Sequence, residues 1–321
     1  MLDKNKLTMV DLFCGAGIGA VGFKKSGIEI IDAIDNKQYA VDTYNLNIGN
    51  HARVADIKKV KSKDIPFADI YVGGIPCQPF SEAGKGEGEN HKTLGNLSYE
   101  FYRIVKENRP NAFVIENVNG MTNKKHKPFL DKLIKMFEDI DYLVNWKNIN
   151  CYHYGIPQER KRLFIIGINK NINNKFEFPE PCSIEQRKNL RDAIGDLPDP
   201  SVECVFKNHS DYYKGGFSSR YTSRNRQRQW DEPSFTIVST ARQLPLHPNP
   251  PNYDIRKMDE YKYDPPRRFT VRECLRIQSV PDWFYYEESI PLDKQYERCS
   301  GIPSDFAYLL GNQLKKCLFE T

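Results

Sequence analysis

Between Leu7 and about Asn169 the sequence alternates two kinds of apolar pattern, and few folds accept that alternation. TMVDLF, IEIIDAID, ADIYVGGI, NAFVIENV and RLFIIGIN are short, rich in Val, Ile and Phe, and continuous, as strands buried on both faces must be. AVGFKKSG, KQYAVDTYNLN, LSYEFYRIVKENR and KPFLDKLIKMFEDI lie between them, with apolar residues at the i, i+3 and i+4 spacing of a helix face. This repetition predicts an α/β fold with a mostly parallel sheet and right-handed crossovers. From about Pro179 to Arg267 the rhythm stops, and Pro, Asn, Ser and Arg dominate. That stretch is expected to be a small, irregular second domain of short strands and loops. A helical pattern resumes at TVRECLRIQS, from Thr270, and the chain closes with AYLLGNQLKKCLFE.

Length and composition set outer bounds. At one domain per ~150 residues, 321 residues suggest two domains or one large domain with an insertion. With 39% hydrophobic and 28% charged residues, the chain fits a soluble enzyme rather than a membrane or disordered protein. No run nears the ~18 apolar residues of a membrane span, and MLDKNKLTMVDLF enters a strand pattern without a signal-peptide pattern, so a cytoplasmic location is expected. A net charge of +5 is too mild to announce nucleic acid, so an anionic partner has to be met by local charge. The eight cysteines, at 14, 77, 151, 182, 204, 274, 299 and 317, form no C-x-x-C pair, and no metal is expected.

The chemistry-bearing residues fall where strands end. MVDLFCGAGIGAVGF puts Gly15, Gly17 and Gly19 after the first strand and at the start of a helix, where a backbone can approach a ligand closely. Asp35 ends the second strand, where a carboxylate can hold a ribose hydroxyl pair, or simply cap a helix. Asp56, in VADI, ends an apparent third strand and could accept from an adenine amino group, or cap likewise. Cys77 follows ADIYVGG between Pro76 and Pro79, on a stiff loop at the edge where open α/β sheets bind ligands. A thiol there is a candidate nucleophile, against the commoner alternative of inert packing. Glu116 ends NAFVIENV, at that same edge, as a buried proton donor or as half of a structural ion pair. QERKR supplies Arg160 and Arg162, two apart and so expected on one face of a strand, where they could orient a polar ring or a carboxylate.

Taken together, these motifs resemble the DNA (cytosine-5) methyltransferases of the bacterial type, in that family's order. DLFCGAGIG is similar to the cofactor loop, PCQPFS to the nucleophile loop, ENV to the carboxylate motif and QERKR to the Gln-x-Arg-x-Arg motif. RRFTVRECLRIQSVPDWF resembles the block after the recognition domain, and Gly311-Asn312 the final motif. Ala307 and the Gln-Leu-Lys after Asn312 depart from that final motif. The resemblance implies a Rossmann-like catalytic domain over 1–178 and 285–321. A target-recognition domain would span 179–284, including the connecting block 267–284. It implies S-adenosylmethionine as cofactor, S-adenosylhomocysteine as product, and a pocket lined by Phe13, Gly15, Gly17, Asp35, Asn36, Asp56, Ile57, Pro76, Leu97 and Asn312. In catalysis, Cys77 would attack carbon 6 of a flipped-out cytosine, Glu116 would hold a proton at the ring nitrogen, and Arg160 and Arg162 would fix the ring.

The expected partner is double-stranded DNA, with a cognate restriction endonuclease in the same host, no membrane, and a monomeric enzyme. YYKGGFSSRYTSRNRQRQW, 212–230, carries five basic residues and no acidic one, matching the net charge of the whole chain. The segment SRNRQRQWDEPSFTIVSTARQLPLHP, 223–248, resembles recognition domains acting on GGCC-like sites, which implies guanine contacts from Arg224, Arg226 and Arg242, with Arg228, Gln78 and Ser81 also on DNA. Arg224 and Arg226, alternating, would face one way on a strand. A GC-rich target, GGCC first, is expected. Two relatives of this reading remain open: a tRNA cytosine-5 methyltransferase of the same family, and a catalytically impaired DNA-binding homologue. A nicotinamide dehydrogenase would use the glycine loop but leave PCQ and ENV without a task.

Overall fold

In the computed structural model of the protein, residues 6–76 and 97–319 are described. The chain divides into two compact units. The first holds Met1–Ile149, Lys161–Glu180 and Phe306–Thr321, and the second Asn150–Arg160 and Pro181–Asp305.

The first unit follows the strand–helix rhythm of the sequence. Its elements begin β1 (Thr8–Leu12), α1 (Ile18–Lys25), β2 (Glu29–Asp35), α2 (Gln38–Asn47), β3 (Ala52–Val54), β4 (Ile70–Gly74), α3 (Leu97–Asn108) and β5 (Ala112–Val118). The series continues with α4 (Lys127–Glu138) and β6 (Tyr142–Asn150). The two-residue β7 (Gln158–Glu159) then belongs to the second unit, and β8 (Lys161–Asn169) returns to the first. All five apolar runs are strands and all four helical patterns are helices; β6 was not anticipated, because YLVNWKNIN mixes polar and apolar residues without a clean period. The sheet order is β3-β2-β1-β4-β5-β8-β6. β1 to β5 pair in parallel, while β8 runs antiparallel to β5, giving the mostly parallel α/β sheet that was expected.

One face of this sheet makes a continuous core. Val10, Leu12, Tyr71, Phe113 and Ile115 meet Phe101 and Val105 of α3 and Leu133 and Phe137 of α4, all fully or nearly fully buried. Phe113 anchors it, with its ring 4.1 Å from that of Phe137 and 5.2 Å from that of Tyr142. Such rings contribute both apolar area and specific geometry.

The second unit has little regular structure. It contains α5 (Leu190–Ile194), α6 (Ser219–Thr222), β9 (Ser234–Phe235), which pairs in parallel with β7, then α7 (Val271–Ile277) and α8 (Leu292–Glu297). α9 (Ser304–Phe319) closes the chain, most of it in the first unit. The helix expected at TVRECLRIQS is α7. Its cap, Thr270, accepts at Oγ1 from the Glu273 amide, while a Glu273 carboxylate oxygen accepts from the Thr270 amide. The strand expected through Arg224 and Arg226 does not form: only a single bridge, Gln227 to Leu246, marks that stretch. Its side chains bond locally instead of leaving the backbone free to join a ladder.

Candidate active site

Chain order and sheet order diverge at one place. From β1 the chain moves outward to β2 and β3, then returns to lay β4 on the other side of β1. Loops leaving the carboxyl ends of β1 and β4 therefore part to opposite sides and leave a crevice, where open α/β sheets bind ligands. Leu12 and Gly73 are register partners, so the glycine loop and Ile75-Pro76 start side by side.

The glycine loop is built tightly. Phe13, Gly15 and Gly17 all have positive φ, and Gly17 caps α1 in the left-handed region. A side chain on Gly17 would also strike Ile48 Cγ1 at 2.9 Å and Tyr44 at 3.0 Å, so glycine is demanded twice over. At Gly15 none of the described residues lies within 4 Å of where a Cβ would sit. Asp35 locks this loop to the end of β2: its carboxylate accepts from the Gly15 amide at 3.1 Å and from the Lys37 amide at 3.0 Å. Phe13 packs on the core cluster to which the buried Ile57 and Leu97 belong, and Asn36 is exposed next to Asp35. Asp56, just past β3, accepts from the Lys58 amide at 3.1 Å and so shapes its own turn. Pro76 is half-buried at the last described position before Cys77.

Asn312 lies on α9 directly after Gly311. A Cβ on Gly311 would come within 2.2 Å of Ser26 Oγ, just after α1. The close approach of α9 to the end of α1 thus depends on that glycine.

One acid was missed. Asp11, inside β1, is buried, and its carboxyl makes no hydrogen bond or ion pair among the described residues. Burial first, and the Asp35 charge second, push its pKa up to about 8. The signal was available in VDLF: an acid within an otherwise apolar buried strand has few neutral explanations.

Glu116 and Arg162 are brought together. Glu116 pairs with Gly74 on one side and Phe164 on the other, so Arg162, two residues from Phe164, lies diagonally across β8. Arg162 Nε stands 3.0 Å from Glu116 Oε1, with both side chains largely buried. Next to Glu116, the fully buried Asn117 uses its side-chain oxygen to accept from the Val118 amide. Arg160 is the other arginine of QERKR. It belongs to the second unit, where its buried guanidinium donates to Ile237 O at 3.3 Å and Ser300 Oγ at 3.4 Å. The strand alternation expected of the two arginines does not extend to Arg160, which lies between β7 and β8. Cys77, Gln78 and Ser81 lie outside the described residues.

The four recognition arginines divide into two kinds. Arg224 and Arg242 are exposed, with no hydrogen-bond or ion-pair partner among the described residues. Arg228 is bound at 2.9 Å to Glu232 and at 2.8 Å to Glu159, and stacks 4.2 Å over Phe235. Arg226 bonds Tyr221 O at 3.1 Å and lies 4.9 Å over the Tyr221 ring. A sequence shows charge but not commitment, so these four looked alike in it.

With this geometry in place, comparison with known proteins is informative. The family model of the C-5 cytosine-specific DNA methylases matches residues 7–316. A Type II methyltransferase of Fusobacterium nucleatum, M.FnuDI, is 37% identical over 97% of this chain and 95% of its own. M.MthTI, a Type II methyltransferase of Methanothermobacter thermautotrophicus, is 38% identical over 97% and 98%. Among solved structures, the Entamoeba histolytica methyltransferase EhMeth superposes with a TM-score of 0.73 at 16% identity, covering 98% of each chain. That last likeness speaks for the fold alone.

Proposed function

The chain belongs to the C-5 cytosine-specific DNA methylase family and is a DNA (cytosine-5)-methyltransferase, and from this premise we propose that it flips a cytosine out of duplex DNA and methylates carbon 5 within a short GC-rich site, GGCC first. Flipping is required because a stacked base cannot meet a side chain at carbon 6; unstacking costs a few kcal/mol. The observation that carries the reading is the Glu116–Arg162 pair, set in register against Gly74 of β4. Cys77 follows Gly74 by three residues.

The residues at the crevice fit S-adenosylmethionine. Gly15, with none of the described residues near its Cβ position, admits a ligand against the backbone, the Asp35 carboxylate stands bonded to that loop, and Phe13, Ile57 and Leu97 supply apolar surface. Asn36, Asp56, Pro76 and Asn312 are assigned to the same pocket by the family motifs. Bound there, the cofactor supplies an electrophilic methyl group. The protein's own work is to make cytosine carbon 5 nucleophilic. Cys77 adds as thiolate to carbon 6, and Glu116 holds a proton at the ring nitrogen, so negative charge does not accumulate on the ring. Arg162 keeps the Glu116 carboxyl in position and orients the base. Loss of the carbon 5 proton then expels Cys77 and restores the aromatic ring.

Arg224 and Arg242 are the candidate base readers, since arginine forks match guanine edges in the major groove. Gln78 and Ser81 are assigned to DNA from their place beside Cys77. We further propose that the enzyme acts as a monomer in the cytoplasm, as the modifying half of a restriction–modification pair. Transfer of labelled methyl to DNA tests the chemistry: Cys77→Ser should bind DNA and cofactor but lose turnover by several orders of magnitude. Bisulfite mapping tests the site, and methylation confined to AT-rich contexts would reject it.

A further inference from the structure

The arginines bound internally in the second unit converge on one ring. Tyr221, fully buried, has the Arg226 guanidinium 4.9 Å and the Arg268 guanidinium also 4.9 Å from its ring centroid. Arg268 is itself buried, stacks 4.4 Å over Phe217 and 5.1 Å over Tyr213, and donates to Gly215 O at 2.7 Å and Gly216 O at 3.2 Å. Stacked guanidinium–aromatic contacts of this kind are strongest when desolvated. On the other side, Arg226 donates to Tyr221 O and, at 3.5 Å, to Gln243 Oε1. The Tyr221 hydroxyl donates to Leu244 O at 2.6 Å, which ties the stack to the single helical turn Ala241–Gln243. Three exposed arginines sit on this frame: Arg220 beside Tyr221, Arg224 two residues before Arg226, and Arg242 on the turn.

We propose that Arg226 and Arg268 are positioning residues for sequence recognition, clamping Tyr221 so that Arg220, Arg224 and Arg242 are held at fixed spacing for the edges of the target bases. Neither guanidinium touches DNA in this arrangement. An arginine on a loose loop meets any phosphate, whereas reading a base edge bidentately needs a guanidinium oriented before contact. A planar fork stacked on rings and bonded to two carbonyls fixes the loop as no lysine could. The inference rests on the DNA-methylating function proposed above and assigns the basis of its specificity.

The test uses the full-length enzyme, a short duplex carrying the site found by bisulfite mapping, and the same duplex with one base pair changed. For Arg268→Lys and Arg226→Gln the ratio of kcat/KM between the two duplexes should fall about tenfold. The loss should lie in KM for DNA, with S-adenosylmethionine affinity intact. The slope of log DNA affinity against log salt should stay at the wild-type value, since no phosphate contact is lost. Arg224→Ala is the contrasting variant, and should lower that slope by about one or abolish preference at one base. A slope lowered by about one in Arg268→Lys or Arg226→Gln would put that guanidinium on a phosphate and overturn the proposal. An undiminished discrimination ratio in the folded variants would overturn it equally. Arg226 is only half-buried, so Arg226→Gln decides the matter if Arg268→Lys does not fold. If wild-type enzyme methylates no duplex, the catalytic reading fails by itself. Discrimination is then read by equilibrium binding on GGCC and altered duplexes, where the same two outcomes apply.

Discussion

The two units bury their interiors by opposite means. The first hides apolar strands behind α3 and α4, with Phe113, Phe101 and Phe137 at the centre, and, Asp11 and Asp32 apart, keeps its buried charged groups at strand ends. The second hides charge: Arg160, Arg268, Arg272 and Glu273 are all nearly or wholly inaccessible. Apolar packing is forgiving of sequence, provided that volume and pattern are kept. A buried guanidinium is not forgiving, because removing one partner strands the others. A recognition unit must hold irregular loops in one conformation, and bonds with direction do this where a sheet is lacking. This difference should be visible in solution.

The largest expected effect is electrostatic. Asp11 in the first unit has a pKa raised from 3.8 to about 8, chiefly by burial. The folded chain therefore keeps a proton that the unfolded chain has released, and stability present below about pH 4 is lost as pH rises toward 8. His247 in the second unit has its pKa lowered from 6.5 to about 4, again chiefly by burial. There the unfolded chain takes up the proton first, so stability present above pH 6.5 is lost as pH falls toward 4. The units should drift in opposite directions. Trp146 reports on the first, and Trp230 and Trp283 on the second, so urea unfolding of variants keeping only one set, at pH 5 and pH 8, makes the comparison. Asp11→Asn should remove the slope of the first unit and raise its stability at pH 8 by up to about 5 kcal/mol. If both reporters shift the same way with pH, the contrast is broken.

Arg272 sharpens it next. Its guanidinium donates to Lys207 O at 2.9 Å and Phe284 O at 2.7 Å, and stands 3.5 Å from Asp282. Arg272→Met keeps much of the volume and drops every bond, and should cost about 3 kcal/mol, because two carbonyls are left without donors. Apolar exchange of similar size in the first unit, Leu133→Met, should cost under about 1.5 kcal/mol. Equal losses, measured by urea midpoints, would show that the second unit is packed no differently from the first.

The same contrast governs what could be read from the sequence. The order of strands and helices in the first unit was legible because each element carries its own period, and because buried parallel strands tolerate almost no polar residue. The Glu116–Arg162 pair was partly legible. Its members were named, but their meeting depends on the antiparallel register of β8, which no local pattern encodes. Alternation predicts a shared face only inside a strand, and Arg160 lies between two of them. In the second unit, Tyr221 meets Arg268 across forty-seven positions of sequence, and Arg272 meets Lys207 across sixty-five. Such contacts leave no periodic trace. Only α7 stood out there, as a helical pattern resuming at Thr270.

Smaller effects probe the seams within each unit. Gly311→Ala adds a Cβ within 2.2 Å of Ser26 Oγ and 2.8 Å of Ser26 Cβ. Helix propensity favours alanine by about 1 kcal/mol, whereas overpacking costs about 1–3 kcal/mol, so a net loss of about 1 kcal/mol is expected. Ser26→Gly in the same chain should restore most of it, by thermal melting. A gain in the single variant would mean that α9 gives way at this contact.

Thr270→Ala is the mildest of these changes and the most local. It removes the hydroxyl that accepts from the Glu273 amide at 3.1 Å and that meets His209 Nδ1 at 3.0 Å. Loss of an N-cap costs about 1 kcal/mol. Glu273 would still be held by Arg267, through bonds of 2.7 Å to each of its oxygens, so α7 should stay folded with its first turn loosened. Thr270→Ser keeps the hydroxyl and should recover nearly all of the loss. If the second unit owes its order to directed polar bonds, the alanine variant should speed amide exchange at Val271–Glu273 while leaving Phe113 and its neighbours in β5 untouched. Exchange that quickened in both places would mean that the two units share one cooperative unfolding step.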